Sequence, residues 1–193
     1  MGYLWTLEGQ KNDWNNFDYN HFFDQFNKIL PSPYNNLNNV DKILFKDEFY
    51  AIVIFYKFGK VIKFIQHDNL KFSKENKLYL EAKERKMEYL FAKNTMFSEF
   101  CTMQDFYPIM NLNLNISDAD KNLIWKIYSE TGYRIRNQKD EAFFEQFAYL
   151  ILKGKGKQEL IDVCKFFKEF HITDITPENI RLTTERLPIL IDY

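Results

Sequence analysis

"DITPENIRLTTERLPILIDY", residues 174–193, is the stretch on which the reading turns. It opens with a carboxylate at Asp174, places an amide five residues later at Asn179, and meets a further carboxylate at Asp192, at the end of an apolar run. Within it, "NIRLT" and "LPILID" read as two short strands joined by "TER". Seen alone, "TPENIRLTTER" also fits a plain helix with Thr176 as cap and Pro177 at its first position. The order of the elements before it weighs for the hairpin.

Moving toward the N-terminus, "DEAFFEQFAYLILK" and "KQELIDVCKFFKEF" are strongly amphipathic and read as two helices. The "GKGK" between them reads as a turn, because Gly154 and Gly156 lack the preceding strand and the spacing of a phosphate-binding loop. "SDADKNLIWKIYSE" starts with a Ser/Asp cap and holds a helical period, while "MFSEFCTM" and "FYPIMNLNL" have strand character. From Ser73 to about Lys93 the chain reads as one charged helix with Leu78, Leu80, Met87, Leu90 and Phe91 near helical spacing. Before it, "DKILFK", "FYAIVIFYK" and "KVIKFI" are β-branched and aromatic runs separated by "DE" and "FGK", the pattern of an antiparallel meander. Residues 1–40, rich in Asn and aromatics, read as an N-terminal elaboration with a short helix in "DYNHFFDQFNKIL".

A chain of 193 residues that is 46% hydrophobic, with 20 Phe and 12 Tyr against 6 Gly and 5 Pro, builds a core without help from a metal or a disulfide. The net charge of -1 gives no global reason to expect nucleic acid or a membrane surface as partner. The aromatics interleaved with lysine in "FYKFGKVIKFIQHDNLKF" are accounted for by the strand period, not by base stacking. Cys101 and Cys164 sit far apart in apolar segments and read as buried thiols, and His21 and His67 have no partner at metal-ligand spacing. No run approaches the roughly 18 apolar residues of a spanning helix, and "MGYLWTLEGQKNDW" lacks a signal-peptide pattern. A cytoplasmic location is expected, in the producing cell or a host.

Phosphoryl transfer to a hydroxyl asks little covalent help of a protein; it needs a carboxylate to orient the nucleophile and ligands for the metal on the nucleotide. Asp174 and Asn179 place a carboxylate and a carbonyl-bearing amide on one compact loop, with Pro177 restricting the backbone between them. Asp192 is placed to return on the neighbouring strand as a second ligand, and hard oxygens of this kind suit magnesium.

With those residues in view, "DITPENI" resembles the catalytic loop of the protein-kinase superfamily, and "LIDY" resembles the strand and Asp that open that family's Asp-Phe-Gly motif, with Tyr193 in the aromatic position. "KVIKF" resembles the family's Val-Ala-Ile-Lys strand. The resemblance implies an α+β, kinase-like two-lobe fold: a small antiparallel β lobe with one main helix at 41–115, then a mainly helical, partial or minimal lobe at 116–193 that ends after the metal-binding Asp, with a cleft between them. It implies ATP and Mg2+ as cofactors and Asp174 as the catalytic residue. Asn179 and Asp192 would be metal ligands, and Lys63 would contact the nucleotide phosphates. Glu84, with Glu81 as the close alternative, would be the helix carboxylate paired with Lys63, and Phe49 would sit at the tip of the first hairpin.

The departures shape the functional expectation. Ile172 and Thr173 stand where the family usually has His-Arg, His171 is one position too early and reads as a structural residue at a helix exit, and Thr176 replaces the frequent Lys or Arg. The hairpin "FKDEFYAIVIF" has no glycine where the family has its Gly-rich loop, and the sequence holds no activation segment after Tyr193. The expected function is an ATP- and magnesium-dependent phosphotransferase of minimal or atypical type, with a protein Ser/Thr hydroxyl as acceptor. Two alternatives stand beside it: a catalytically inactive kinase-like module that binds a regulatory protein partner, and an unrelated small immunity or phage-type interaction protein.

Overall fold

The computed structural model describes residues 6–8, 19–47, 50–65, 70–108 and 113–191. The chain divides into two compact units, one of residues 1–77 and 93–106, the other of residues 78–92 and 107–193.

The first unit is a six-stranded sheet in the order β1-β2-β3-β4-β6-β5. Its strands are β1 (Thr6–Glu8), β2 (Lys42–Asp47), β3 (Tyr50–Phe55), β4 (Lys60–Ile65), β5 (Thr95–Ser98) and β6 (Cys101–Asp105). All neighbours pair antiparallel except β1 with β2, which run parallel. Alternation decides what each face carries. Ala51, Val53 and Phe55 of β3 join Ile62 and Phe64 of β4 in a core that also takes Phe22, Phe26 and Leu30. These last three recur every four residues along and just past helix α1 (Tyr19–Ile29), so they form one stripe that lies on the sheet. The described part of the segment expected as an N-terminal elaboration, from α1 onward, therefore contributes to this unit's core. The turn into β4 is made by Gly59, whose φ of 59 is left-handed and whose N–H bonds the Tyr56 carbonyl at 3.1 Å.

The second unit is helical, with a two-stranded ribbon. Helix α3 (Asp118–Thr131) starts where the Ser117 hydroxyl accepts from the Asp120 N–H, and α4 (Glu141–Lys155) and α5 (Lys157–Glu169) follow. Phe144, Phe147, Ala148 and Ile151 of α4 face Leu160, Val163, Cys164 and Phe167 of α5 in one core, each set at i, i+3, i+4, i+7 spacing. The break between these helices is narrower than "GKGK" suggested: Gly154 and Lys155 stay in α4, and Gly156 alone, at φ 96, turns the chain. Strands β7 (Ile180–Leu182) and β8 (Pro188–Leu190) pair as the antiparallel hairpin read from the sequence, with all of β8 buried.

Helix α2 (Leu70–Glu84) departs most from expectation, starting before Ser73 and ending well before Lys93. Lys86 adopts a left-handed φ of 60; its N–H bonds the Lys83 carbonyl at 3.0 Å and the Met87 N–H bonds the Ala82 carbonyl at 2.8 Å. That is a Schellman closure built without the usual glycine. Met87 and Ala82 are buried together, which supplies its hydrophobic contact, and Leu90 then falls in a short 3-10 turn. Residues 106–108 of the expected strand "FYPIMNLNL" are irregular, and residues 109–112 lie outside the described residues. The architecture is mixed α+β with a mostly antiparallel sheet.

Candidate functional site

In the second unit, the chain leaves α5 through another glycine-free Schellman closure. His171 sits at φ 56, its N–H meets the Lys168 carbonyl at 3.3 Å, and the Ile172 N–H meets the Phe167 carbonyl at 2.8 Å. The following loop is pinned by its apolar residues: Ile172, Ile175 and Ile180 are buried in the core, while Asp174 between them is exposed. Asn179 folds its amide back so that Nδ2 donates to the Asp174 carboxylate at 2.9 Å and reaches the Asp174 carbonyl at 3.3 Å. The Asn179 and Ile180 N–H groups both bond the Thr176 carbonyl, at 3.1 and 3.0 Å, and the Ile191 N–H bonds the Asn179 carbonyl at 2.9 Å. "TPEN" is thus a turn, not the start of a helix.

Two residues that the sequence did not single out brace this loop. Tyr133, fully buried, donates its hydroxyl to the Ile172 carbonyl at 2.9 Å, and the Arg136 N–H meets the Thr173 carbonyl at 2.9 Å. Burial, with smaller contributions from Cys164, Tyr128 and Asp174, pushes the Tyr133 phenol well above its usual range, so it stays a neutral donor. From the other side, Arg181 donates to the Pro177 carbonyl at 2.7 Å and the Ile180 carbonyl at 2.8 Å. Desolvation holds that half-buried guanidinium below its ordinary pKa, against the pull of Glu178. A buried tyrosine in an aromatic run carries no sequence mark of such a role.

In the first unit, Lys63 is only 2% exposed on β4, and its Nζ lies 3.9 Å from Oε2 of Glu75, which is fully buried on α2. Asn94 Nδ2 donates to the same Glu75 oxygen at 2.8 Å. Among the described residues the carboxylate that pairs with Lys63 is Glu75, and the expectation of Glu84 is corrected. Nine residues at about 100° each turn a helix by roughly half a revolution, so Glu84 lies on the opposite side of α2 from Glu75 and is exposed. Glu81 is half-buried. A sequence signal existed: Phe72, Glu75, Leu78 and Ala82 fall on one helical face, so Glu75 is the acid inside the apolar stripe. Phe49 and Asp192 lie outside the described residues.

Among the described residues no three His, Cys, Asp or Glu side chains gather into a ligand cluster. A magnesium ion on a nucleotide would draw instead on isolated hard oxygens and on phosphate. Asn179 fits that use, because its amide nitrogen is spent on Asp174 and its amide oxygen remains as an acceptor. No protein-family model matches the chain, and no curated protein or solved structure matches it. Among the described residues, no helix is long and apolar enough to cross a membrane.

Proposed function

We propose that the chain is an ATP- and magnesium-dependent phosphotransferase of protein-kinase-like type, acting on a protein hydroxyl. The observation that carries this reading is the buried pair of Lys63 and Glu75 at 3.9 Å. An apolar pair of similar volume would serve the fold as well or better, so a lysine kept beside a carboxylate in such a place is supported best by a ligand that needs it. Lys63, oriented by Glu75, whose carboxylate Asn94 holds in turn, would hold nucleotide phosphates. Asn179 through its amide oxygen, and Asp192, would bind the magnesium that neutralises phosphate charge during transfer.

Asp174 would accept a hydrogen bond from the acceptor hydroxyl and orient it for in-line attack on the terminal phosphorus. The bond from oxygen to phosphorus forms as the bond to the leaving nucleoside diphosphate breaks, and the hydroxyl proton passes to the carboxylate. The Asn179 amide leaves Asp174 one oxygen for this task. Transfer of a labelled terminal phosphate from ATP into protein is the test: Asp174→Ala removes transfer while leaving nucleotide binding nearly unchanged, whereas Asp192→Ala removes magnesium-dependent binding itself. A second reading, a kinase-like module that binds a regulatory protein without catalysing, is favoured by the glycine-free connection "DEFY" between β2 and β3, because close backbone approach to phosphate is easiest at glycine. Nucleotide binding without transfer supports it.

A further inference from the structure

We propose that the exposed cations Arg136 and Lys168, beside the Asp174 loop, recognise acidic residues flanking the acceptor hydroxyl, so that the acceptor is an acidic polypeptide; this rests on the phosphotransferase reading of that loop. Two segments of the second unit run side by side here. Lys168 Nζ meets the Thr131 carbonyl at 3.2 Å, the Tyr133 hydroxyl meets the Ile172 carbonyl at 2.9 Å, and the Arg136 N–H meets the Thr173 carbonyl at 2.9 Å. The backbone of Arg136 is thereby fixed against the residue before Asp174, and its side chain is exposed.

The segment that runs beside the loop is basic. Residues 131–139 hold Arg134, Arg136 and Lys139 and no acid. Among the described residues no ion pair engages Arg134, Arg136 or Lys168. Two acids at the borders of this surface are occupied: Glu130 pairs with Lys126 at 3.8 Å and Glu169 with Arg85 at 2.6 Å. Arg134 is partly committed, donating to the Tyr133 carbonyl at 2.6 Å and lying 5.3 Å from the Tyr128 ring centroid. Arg136 and Lys168 are exposed and, like Lys139, pair with no carboxylate among the described residues, and Lys168 keeps donors beyond the one spent on the Thr131 carbonyl, in a chain whose net charge is -1. Asp174 and Glu178, the acids of the loop itself, repel an acidic chain on their own side and favour its approach along the basic one. An extended peptide advances about 3.3 Å per residue, so a carboxylate two or three positions from the hydroxyl lies roughly 7–10 Å along the chain from it. Arginine adds a two-pronged donor that matches a carboxylate.

The test uses the full chain and fluorescence anisotropy with three labelled probes: a serine peptide flanked by Glu and Asp, the same peptide with Gln and Asn, and a single-stranded oligonucleotide. The acidic peptide is expected to bind at least tenfold more tightly than its amide twin, and to lose that preference between about 0.05 and 0.5 M salt. The paired reversal Arg136→Glu with Lys168→Glu is expected to abolish the preference while leaving the circular dichroism spectrum and the heat of magnesium-ATP binding unchanged. Equal binding of the two peptides, a preference that survives the reversal, or tighter binding of the oligonucleotide overturns the proposal. Peptide preference without any ATP heat upholds the surface and removes the enzyme reading; phosphate transfer without peptide preference does the opposite.

Discussion

Breaking the Lys63–Glu75 pair should cost far more than removing the pair together. Lys63 is 2% exposed and Glu75 fully buried, so a partner that loses the other has little water to turn to. Removing one member of such a pair costs about 3–5 kcal/mol, whereas replacing both by apolar groups of similar volume is about neutral or stabilising. Glu75→Ala also strips Asn94 of the acceptor it reaches at 2.8 Å, which places that variant at the upper end of the range. Lys63→Met combined with Glu75→Leu should recover most of the loss and unfold within about 1 kcal/mol of the parent. Urea unfolding followed by far-ultraviolet circular dichroism measures all four corners of the double-mutant cycle. Single variants each costing less than about 1 kcal/mol, or a double variant whose loss equals the sum of the singles, would refute the reasoning, because the two charges would then not be buried against each other.

Three further outcomes follow from the geometry. His171→Gly should stabilise the chain by about 0.5–1 kcal/mol in the same urea assay, because φ 56 is a left-handed conformation that costs a side-chain-bearing residue and not glycine. Cys101 and Cys164 should resist a thiol reagent at pH 8 until the chain unfolds; burial pushes the Cys164 thiol up to about 12 and the Cys101 thiol higher still, so neither forms thiolate in the native state. Hydrogen bonding from Arg85 holds the exposed Glu169 carboxyl below its ordinary value. A depressed carboxyl contributes stability above its unfolded pKa of about 4.3 and loses it as pH falls through the lowered folded value. The stability difference between parent and Arg85→Gln should therefore be steady above about pH 5 and shrink below about pH 4; a difference that grows on acidification would contradict this.

Periodicity made much of the fold legible. The meander Lys42–Ile65 was announced by β-branched and aromatic runs, and α3 by its Ser117 cap. Helix α2 was misjudged because its end carries no glycine: the left-handed residue is Lys86, and what stops the helix is the burial of Met87 against Ala82, a tertiary fact. The same misjudged span moved the chosen carboxylate from Glu75 to Glu84. The Asp174 and Asn179 pair was legible because its parts are five residues apart on one turn. Tyr133 was not, because its role depends on a hydroxyl meeting a carbonyl thirty-nine residues away.

The measurement that bears most directly on the functional account is a calorimetric titration of magnesium-ATP into the parent chain and into the Asp174→Ala and Asp192→Ala variants, each confirmed folded by circular dichroism. The account predicts a saturable heat for the parent, a nearly equal one for Asp174→Ala and none for Asp192→Ala, since orienting a hydroxyl and holding a metal are separate tasks. No heat from the folded parent at millimolar nucleotide, or the same heat from all three chains, would contradict it.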